Sequence, residues 1–185
     1  YEIGVRLVGS EMCIRDSVRD ADGKNIVIIN DIRFRGKRKM SWKEVEEFLK
    51  EYVKTYYEIE AYSEKIYIGT DFPGEYAHSK DTKALAGANA KAKANAAQAI
   101  GELIRTAVNK SESEDYGGRH GNRAQNGWYR YDVRFGLPVY NQEGKLERYN
   151  IFSARMLVRC DADGKLYLYD IVRTKKETST PSGLF

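Results

Sequence analysis

One short segment concentrates the side chains that proton transfer and phosphate binding use. The residues from Asp71 to Lys80 include a carboxylate, a histidine, a hydroxyl and a lysine. Histidine suits proton transfer because its pKa lies near neutrality. Ser79 or Asp81 is predicted to cap the next helix, which brings the positive end of that helix near His78. This arrangement favours a bound anion such as phosphate.

Arginine and tyrosine form a second set of candidate functional residues. Arg130, Arg134 and Arg155 occupy polar positions of strand-like runs and therefore share the open face of a predicted sheet. The chain has 14 tyrosines and a formal net charge of +4. Tyrosine and arginine stack on bases and hydrogen-bond to phosphates. The composition favours an acidic partner, with plain solvation of the arginines as the alternative.

The cysteines and histidines exclude a zinc site built from these residue types. Two cysteines and two histidines are present, and Cys13 lies in a segment that is set aside below. The remaining Cys160 has no partner for an internal disulfide, and His78 and His120 are too few for a zinc constellation. We predict no metal and no cofactor. Cys160 is predicted to face the core, and His120 to be exposed without a role.

The sequence carries no sign of a membrane location. No apolar run is long enough to cross a bilayer, and no signal peptide is visible. We therefore predict an intracellular, reducing setting and no membrane partner.

The first 17 residues differ in origin from the rest. The chain opens on Tyr1, not Met, which predicts a piece of a longer reading frame. Residues 7–16, Leu-Val-Gly-Ser-Glu-Met-Cys-Ile-Arg-Asp, resemble a translation of the transposase adapter used to prepare sequencing libraries. Residues 1–17 are therefore predicted not to be native, with an ordinary amphipathic strand as the alternative. Residues 18–185 are predicted to form a single domain with a real core.

Two stretches predict helices. Ser41 and Glu44 form a capping-box pattern, and apolar residues at helical spacing follow as far as Val53. Residues 83–109 predict a longer helix, because nine of the sixteen residues 84–99 are alanine. Low-complexity disorder is the alternative there.

Alternating apolar residues predict the strands. Residues 57–61 and 65–68 indicate a hairpin, and residues 129–139, 152–160 and 166–174 indicate a three-stranded antiparallel meander. The predicted fold class is α+β. Two main helices would pack on one face of an antiparallel β-sheet, made of the C-terminal meander and the N-terminal hairpin.

Four phrases of the sequence carry a family resemblance. They are Glu75-Tyr76-Ala77-His78-Ser79-Lys80, Gly127-Trp128-Tyr129-Arg130-Tyr131-Asp132, Asp161-Ala162-Asp163-Gly164-Lys165-Leu166-Tyr167-Leu168-Tyr169-Asp170-Ile171 and Lys175-Lys176-Glu177-Thr178-Ser179-Thr180-Pro181. With them, the chain resembles a large polyvalent protein-associated domain of the third type, found in multidomain proteins of phages and conjugative elements. More distantly, it is similar to the phage nuclease domains grouped with barnase, EndoU and the tRNA-cleaving colicins as the BECR fold. The resemblance covers residues 67–181.

The resemblance implies a setting as well as a fold. It implies helices on one face of an antiparallel sheet, in a module that is joined to further domains of a longer chain. It also implies a location in the cytoplasm of a bacterial host cell, with delivery alongside phage or plasmid DNA. RNA is the implied substrate, and an immunity protein is the implied partner of a toxin-like effector.

Metal-free RNA cleavage, which the resemblance implies, needs a base, an acid and groups that stabilise charge on phosphate. His78 is predicted to transfer protons, with Lys80 on the phosphate. Glu177, Thr178 and Ser179 would supply a second acid–base group and hydrogen bonds. The predicted RNA contacts are Arg130, Arg134, Arg155 and Lys175. The structural alternatives to catalysis and RNA binding are that these residues cap a helix, terminate a strand or are simply solvated.

Three hypotheses follow, each with a structural signature. A ribonuclease predicts that His78 and residues 177–179 meet in one basic cleft. A non-catalytic module that binds nucleic acid or protein predicts a basic, tyrosine-rich open face with those residues apart. A structural accessory domain predicts an exposed apolar patch.

Overall fold

A computed structural model describes residues 15–36, 39–113 and 127–177. In this part of the chain, eight strands form a single sheet. They are β1 (Arg15–Arg19), β2 (Asn25–Ile29), β3 (Tyr56–Ile59), β4 (Glu64–Tyr67), β5 (Val108–Ser113), β6 (Trp128–Tyr140), β7 (Leu146–Cys160) and β8 (Leu166–Lys176). The fold is α+β, as the sequence predicts.

The helical segments are short and follow one another closely. They are α1 (Trp42–Leu49), α2 (Phe72–His78), α3 (Lys80–Ala84), α4 (Gly87–Ala96) and α5 (Ile100–Thr106). Two 3₁₀ turns, Lys50–Tyr52 and Ala97–Ala99, extend α1 and join α4 to α5. Within the described ranges, none of these helices has the length and apolar character that crossing a membrane requires.

The sheet is mixed, so the prediction of a wholly antiparallel sheet is wrong. Its strand order is β1-β2-β6-β7-β8-β4-β3, and β5 pairs with β6 as well. The meander β6-β7-β8 is antiparallel because tight turns join its strands. By contrast, β2 pairs with β6 and β4 pairs with β8 in parallel. Helices intervene in the chain between these partners, which permits a parallel approach.

The alternation predicted for the meander is confirmed. Tyr131, Val133 and Phe135 of β6 are buried in the main core. On β7, Met156 and Cys160 are buried on the same side, which confirms the core position predicted for the cysteine. The turns between the strands use Gly144 and Gly164 at φ values of +78° and +81°, a backbone that glycine adopts without strain.

The helix layer differs from the prediction in number and in its boundaries. The described residues form five α-helical segments instead of the two main helices predicted, and α2 lies outside both predicted helices. Ser41 occupies the N-cap of α1, but its side chain makes no capping hydrogen bond, so the predicted capping box is absent. The helix predicted over residues 83–109 is interrupted at the extended residues Leu85 and Ala86, and strand β5 already begins at Val108.

Small residues let the helices approach the sheet closely. Alanines from Ala92 to Ala99 are buried in the core. A Cβ added to Gly101 on α5 would lie 2.5 Å from Cε1 of Tyr57 on β3. The close contact between α5 and the edge of the sheet therefore requires glycine at this position.

A buried ion-pair cluster fastens α4 to its neighbours. Lys93 has no exposed surface, and its Nζ lies 2.9 Å from Asp170 Oδ1 on β8 and 3.0 Å from Asp81 Oδ2 on α3. The Tyr76 hydroxyl donates to the carbonyl oxygen of Lys93. Since a buried charge is tolerated only when it is paired, this cluster holds three elements in one arrangement.

Strand β1 begins within residues 1–17, the segment that is predicted not to be native. Asp16 and Ser17 pair with Ile28 and Val27 of β2. Backbone groups make this pairing, and any non-proline residue supplies them. The non-native origin of residues 1–17 therefore stays a prediction.

Candidate functional site

A row of aromatic side chains crosses the open face of the sheet, the face opposite the helices. Tyr56 on β3 pairs with Tyr67 on β4, and Tyr67 pairs with Tyr167 on β8. Neighbouring ring centroids are 5.5 Å and 5.8 Å apart. We call these three residues the tyrosine row. Register pairs continue it to Arg159 on β7 and Trp128 on β6.

The rings are exposed to different degrees. Tyr56 on the edge strand keeps 53% of its surface exposed. Tyr67 and Tyr167 are half-buried, and Trp128 is buried. Trp128 contacts Tyr169 edge-on, with ring centroids 4.9 Å apart. The aromatic side chains of the open face are therefore most accessible at Tyr56 on β3 and least accessible at Trp128 on β6.

Two lysines lie over the rings. The Lys65 Nζ is 5.2 Å from the centroid of Tyr56, and the Lys165 Nζ is 5.5 Å from the centroid of Tyr67. Both lysines are exposed. In the described part of the chain, neither ammonium group has a carboxylate partner. Their positive charge is therefore available to an anion that approaches the rings.

Arg159 closes the inner end of the tyrosine row. Its guanidinium lies 4.4 Å from the ring centroid of Tyr167 and pairs with Asp71 at 3.3 Å. A Cβ added to Gly69 would lie 2.8 Å from Asp71 Oδ1, so glycine makes room for this pair. Beside it lies a pocket of about 540 Å³, which the β7–β8 turn also lines.

The predicted arginines lie on the same open face. Side chains alternate along a strand, so Arg130, Arg134 and Trp128 of β6 point to one side. Arg155 and Arg159 of β7 point to that side as well, since they pair in register with residues 132 and 128. The open face therefore has an aromatic end at the start of β6 and an arginine end some 20 Å further along the strand.

A cleft opens where strand β6 changes neighbours. β5 pairs with β6 up to Asp132, and β2 pairs with β6 from Phe135. Val133 and Arg134 lie between the two pairings. The cleft has a volume of about 780 Å³. The β1–β2 turn, the starts of β2 and β5, and the last residues of β8 line it.

Arg134 sits between two carboxylates in this cleft. Its Nε and Nη2 donate to Glu177 at 2.9 Å and 3.0 Å, and its Nη1 donates to Asp20 at 2.8 Å. The hydrogen bonds with Glu177 raise the pKa of Arg134. Burial opposes ionisation of Asp20, but hydrogen bonds from Arg134 and two backbone amides lower its pKa below the usual value. Glu177 and Arg134, both predicted site residues, are thus in direct contact.

The cleft is balanced in formal charge. Arg155 Nε lies 3.7 Å from Asp132 Oδ1 on its rim. Among the lining residues, four carry positive charge and four carry negative charge. They are Lys24, Arg134, Arg155 and Arg173 against Asp20, Asp22, Asp132 and Glu177. The cleft therefore lacks the surplus of cations that the ribonuclease hypothesis predicts.

The predicted histidine and lysine lie on the helix layer. His78 ends α2, and its Nε2 is 2.7 Å from Glu46 Oε1 on α1. Ser79 caps α3, as predicted, by accepting from Thr82 N. Lys80 is the exposed first residue of α3. Neither His78 nor Lys80 is among the described residues that line the cleft with Glu177.

The remaining predicted residues lie on the open face or outside the described ranges. Lys175 on β8 is exposed and pairs in register with Ser153, which lines the cleft. Arg130 pairs with Leu157 on the open face. Thr178, Ser179 and His120 lie outside the described residues, so their predicted roles stay predictions.

Metal-ligating side chains do not cluster in the described ranges. There, no group of three or more His, Cys, Asp or Glu residues is arranged to hold an ion. The predictions of no metal and no cofactor stay predictions.

Sequence reasoning missed the tyrosine row, although it noted the abundance of tyrosine. Tyr67 and Tyr167 are adjacent only because β4 and β8 pair in parallel. Alternation along one strand identifies a face, but it does not identify the neighbouring strand. Tyr67 and Tyr167 stand in segments predicted as strands, whereas Tyr56 lies one residue before the predicted strand 57–61.

Comparison of the sequence with models of protein families finds no matching family, and comparison with curated proteins finds no matching relative.

Proposed function

We propose that this domain binds single-stranded nucleic acid, RNA in particular, on the open face of its sheet and does not cut it. The observation that carries the proposal is the tyrosine row, three rings in register across three neighbouring strands. Every base has an aromatic face, so such a surface accepts a strand of any sequence. Sheets with aromatic residues on adjacent strands bind splayed bases in this way.

The dimensions of the surface suit a short single strand of nucleic acid. From Tyr56 on β3 to Tyr167 on β8 the tyrosine row crosses two spacings between β-strands, which amounts to about 10 Å. An oligonucleotide of about ten bases is longer than this distance, even when its bases are stacked at 3.4 Å. It can therefore occupy the whole row.

The lysines supply attraction for the phosphates. Lys65 lies beside Tyr56 and Lys165 beside Tyr67, so a nucleic-acid strand stacked on these two rings would carry its phosphates past both ammonium groups. The arginines of the cleft contribute less. Arg134 and Arg155 lie up to about 20 Å along the sheet from the aromatic end of the open face, too far to contact the nucleotides that are stacked on these rings.

The pairing of His78 and Glu177 supports binding without cleavage. His78 pairs with Glu46, whereas Glu177 pairs with Arg134. Acid–base catalysis requires both groups within hydrogen-bonding reach of one substrate. The proposed binding surface contains neither of them. The wider setting, a polyvalent protein of a phage or conjugative element, stays a prediction from the four sequence phrases.

Anisotropy of a fluorescent single-stranded RNA of about ten nucleotides tests the proposal. Truncation of one stacking ring is expected to cost about 1–3 kcal/mol. Tyr56→Ala and Tyr67→Leu should therefore weaken binding by roughly 5- to 150-fold, whereas Tyr67→Phe keeps the ring and should bind like the wild type. Tyr140→Ala is the matched control, since Tyr140 is 50% exposed at the tip of the β6–β7 hairpin, away from the row.

Equal affinities for all four variants would refute the proposal. Thermal melts of each variant establish that the fold is retained. The same RNA, incubated in EDTA with the wild type and with His78→Ala, tests cleavage separately. We expect intact RNA in both samples; cleavage by the wild type that is lost in His78→Ala would instead support the ribonuclease hypothesis.

A further inference from the structure

We infer that the cleft where β6 changes its partner from β5 to β2 is an anion site. It binds a phosphate group through Arg173, Arg155 and Arg134. The inference does not depend on the tyrosine row, which lies at the other end of the open face. It rests on which hydrogen-bonding groups in the cleft are already engaged and which are not.

The acceptors of the cleft are largely engaged. Asp20 accepts from the backbone amides of Asp22 and Lys24 and from Arg134. Both carboxylate oxygens of Glu177 accept from Arg134. Three of the four carboxylates, counting Asp132, therefore have donors from within the chain, and only Asp22 stands exposed in its turn.

Asp132 is engaged as well. Its Oδ2 accepts from Asn109 Nδ2 at 2.9 Å, and its Oδ1 faces Arg155 at 3.7 Å. The latter separation is too long for a direct hydrogen bond. The Arg155 guanidinium, with 47% of its side chain exposed, is therefore free to turn toward a ligand.

The donors of the cleft are in surplus. A guanidinium has five N–H groups, and Arg134 donates three bonds in all. Arg173 and Lys24 are exposed, and within the described residues their side chains have no hydrogen-bond or ion-pair partner. A ligand that fits this cleft must therefore accept hydrogen bonds, as the oxygens of a phosphate do.

The backbone at Arg173 is held in an unusual conformation. Its φ is +56°, in the left-handed region that non-glycine residues seldom adopt. The residue lies in a bulge between the pairs Arg155–Val172 and Ser153–Lys175. Its amide donates to Asp81 Oδ1 at 2.9 Å, which fixes the bulge against α3. Bulges of this kind re-aim a side chain, here into the cleft.

The phosphate has two conceivable sources that share this chemistry. It can be a free phosphate or mononucleotide, because the volume of about 780 Å³ falls in the range of small-ligand sites. It can also be the terminal phosphate of a bound strand. Inorganic phosphate and RNA of about ten nucleotides, with and without a 5′-phosphate, distinguish the two.

The test follows backbone amide signals by NMR as inorganic phosphate is added to the wild type, Arg173→Gly and Arg148→Ala. Glycine tolerates the left-handed backbone at this position, so Arg173→Gly should fold at least as well as the wild type. Arg148→Ala removes an equal charge from the exposed β6–β7 hairpin. We expect saturable shifts around Arg173, weakened about tenfold in Arg173→Gly and unchanged in Arg148→Ala.

Shifts that stay linear, or that persist in Arg173→Gly, would overturn the inference. If a 5′-phosphate tightens RNA binding in the wild type but not in Arg173→Gly, the site binds the terminal phosphate of an RNA strand. If the 5′-phosphate has no such effect but inorganic phosphate binds saturably, the site binds a free phosphate or mononucleotide. Tyr56→Ala should leave phosphate binding intact, which keeps this test separate from the test of the tyrosine row.

Discussion

The residues of the tyrosine row differ in what they contribute to the proposed stacking on bases. Tyr56 is the most exposed ring and has Lys65 beside it, so it can stack on a base with little rearrangement. Tyr167 has the Arg159 guanidinium against its ring. Because Arg159 is buried, its planar guanidinium packs against the Tyr167 ring and holds it in place.

Asp170 is the residue whose titration has the clearest effect on stability. Burial raises its pKa from 3.8 to about 6, against the lowering effect of Lys93. The folded chain therefore holds this proton more tightly than the unfolded chain. Stabilisation by the protonated carboxyl is complete below about pH 4 and is lost as the pH rises through about 6.

We expect Asp170→Asn to remove this contribution to the pH dependence. In urea unfolding, the wild-type free energy should fall relative to that of the variant between about pH 4 and pH 6. Asp163→Asn, in the exposed β7–β8 turn, should keep the wild-type profile. If Asp170→Asn and Asp163→Asn gave the same slope, Asp170 would not titrate in this range.

The residue types of the cleft could be predicted, but their pairing could not. The sequence identifies Arg134, Arg155 and Glu177 as candidates because of their type and strand position. It does not show that Glu177 and Asp20 neutralise Arg134, because Asp20 reaches it from a turn 114 residues away. Such contacts depend on the order of strands in the sheet, which alternation does not specify.

At the scale of elements, close packing between α5 and β3 sets the position of the tyrosine row. Strand β3 carries Tyr56 toward the open face, whereas its neighbour Tyr57 faces α5 and meets Gly101. A larger residue at position 101 would have to displace β3, since the Tyr57 ring also packs beside the Tyr52 ring, with centroids 6.4 Å apart.

Gly101→Ala is expected to destabilise the fold. The added methyl group would lie 2.5 Å from the Tyr57 ring, and overpacking of this kind costs about 1–3 kcal/mol. Gly74→Ala is the matched control, since Gly74 also lies in a helix but its nearest neighbour would be 3.9 Å away. It should stabilise α2 by up to about 1 kcal/mol. Thermal melts that rank the two variants in the opposite order would contradict this packing.

The elements of the meander were predicted more accurately than the helices. Strict alternation and two glycine-containing turns specify β6, β7 and β8 locally. The alanine-rich stretch is interrupted at Leu85 and Ala86, just before Gly87, whose φ is +57°, but a single glycine within a helical pattern does not specify where a helix breaks. Helix propensity alone favours an uninterrupted helix there.

For the whole molecule, the distribution of charge matters more than its sum. The formal net charge is +4, but the arginines of the open face are largely paired with carboxylates. Binding of a single strand should therefore release few counterions. Each phosphate neutralised on a single strand contributes a slope of about −0.7 to the plot of log affinity against log salt.

Lys165→Ala is expected to reduce the magnitude of this slope by about 0.7, because in the proposed complex Lys165 would neutralise one phosphate next to Tyr67. Lys145→Ala removes the same charge at the exposed β6–β7 turn and should leave the slope unchanged. Anisotropy titrations at several salt concentrations measure both. If Lys145→Ala changed the slope and Lys165→Ala did not, the RNA would bind elsewhere on the surface.

Photochemical crosslinking of the wild-type domain to single-stranded RNA, followed by mass spectrometry of the crosslinked peptides, tests the proposed interface most directly. Ultraviolet light joins bases to the aromatic rings on which they stack. We expect crosslinks at Tyr56, Tyr67 and Tyr167, with none at Tyr140, whose exposed fraction of 50% is close to the 53% of Tyr56. Crosslinks that fall on Tyr140 or on the helix layer, and spare those three rings, would show that RNA does not bind across the sheet.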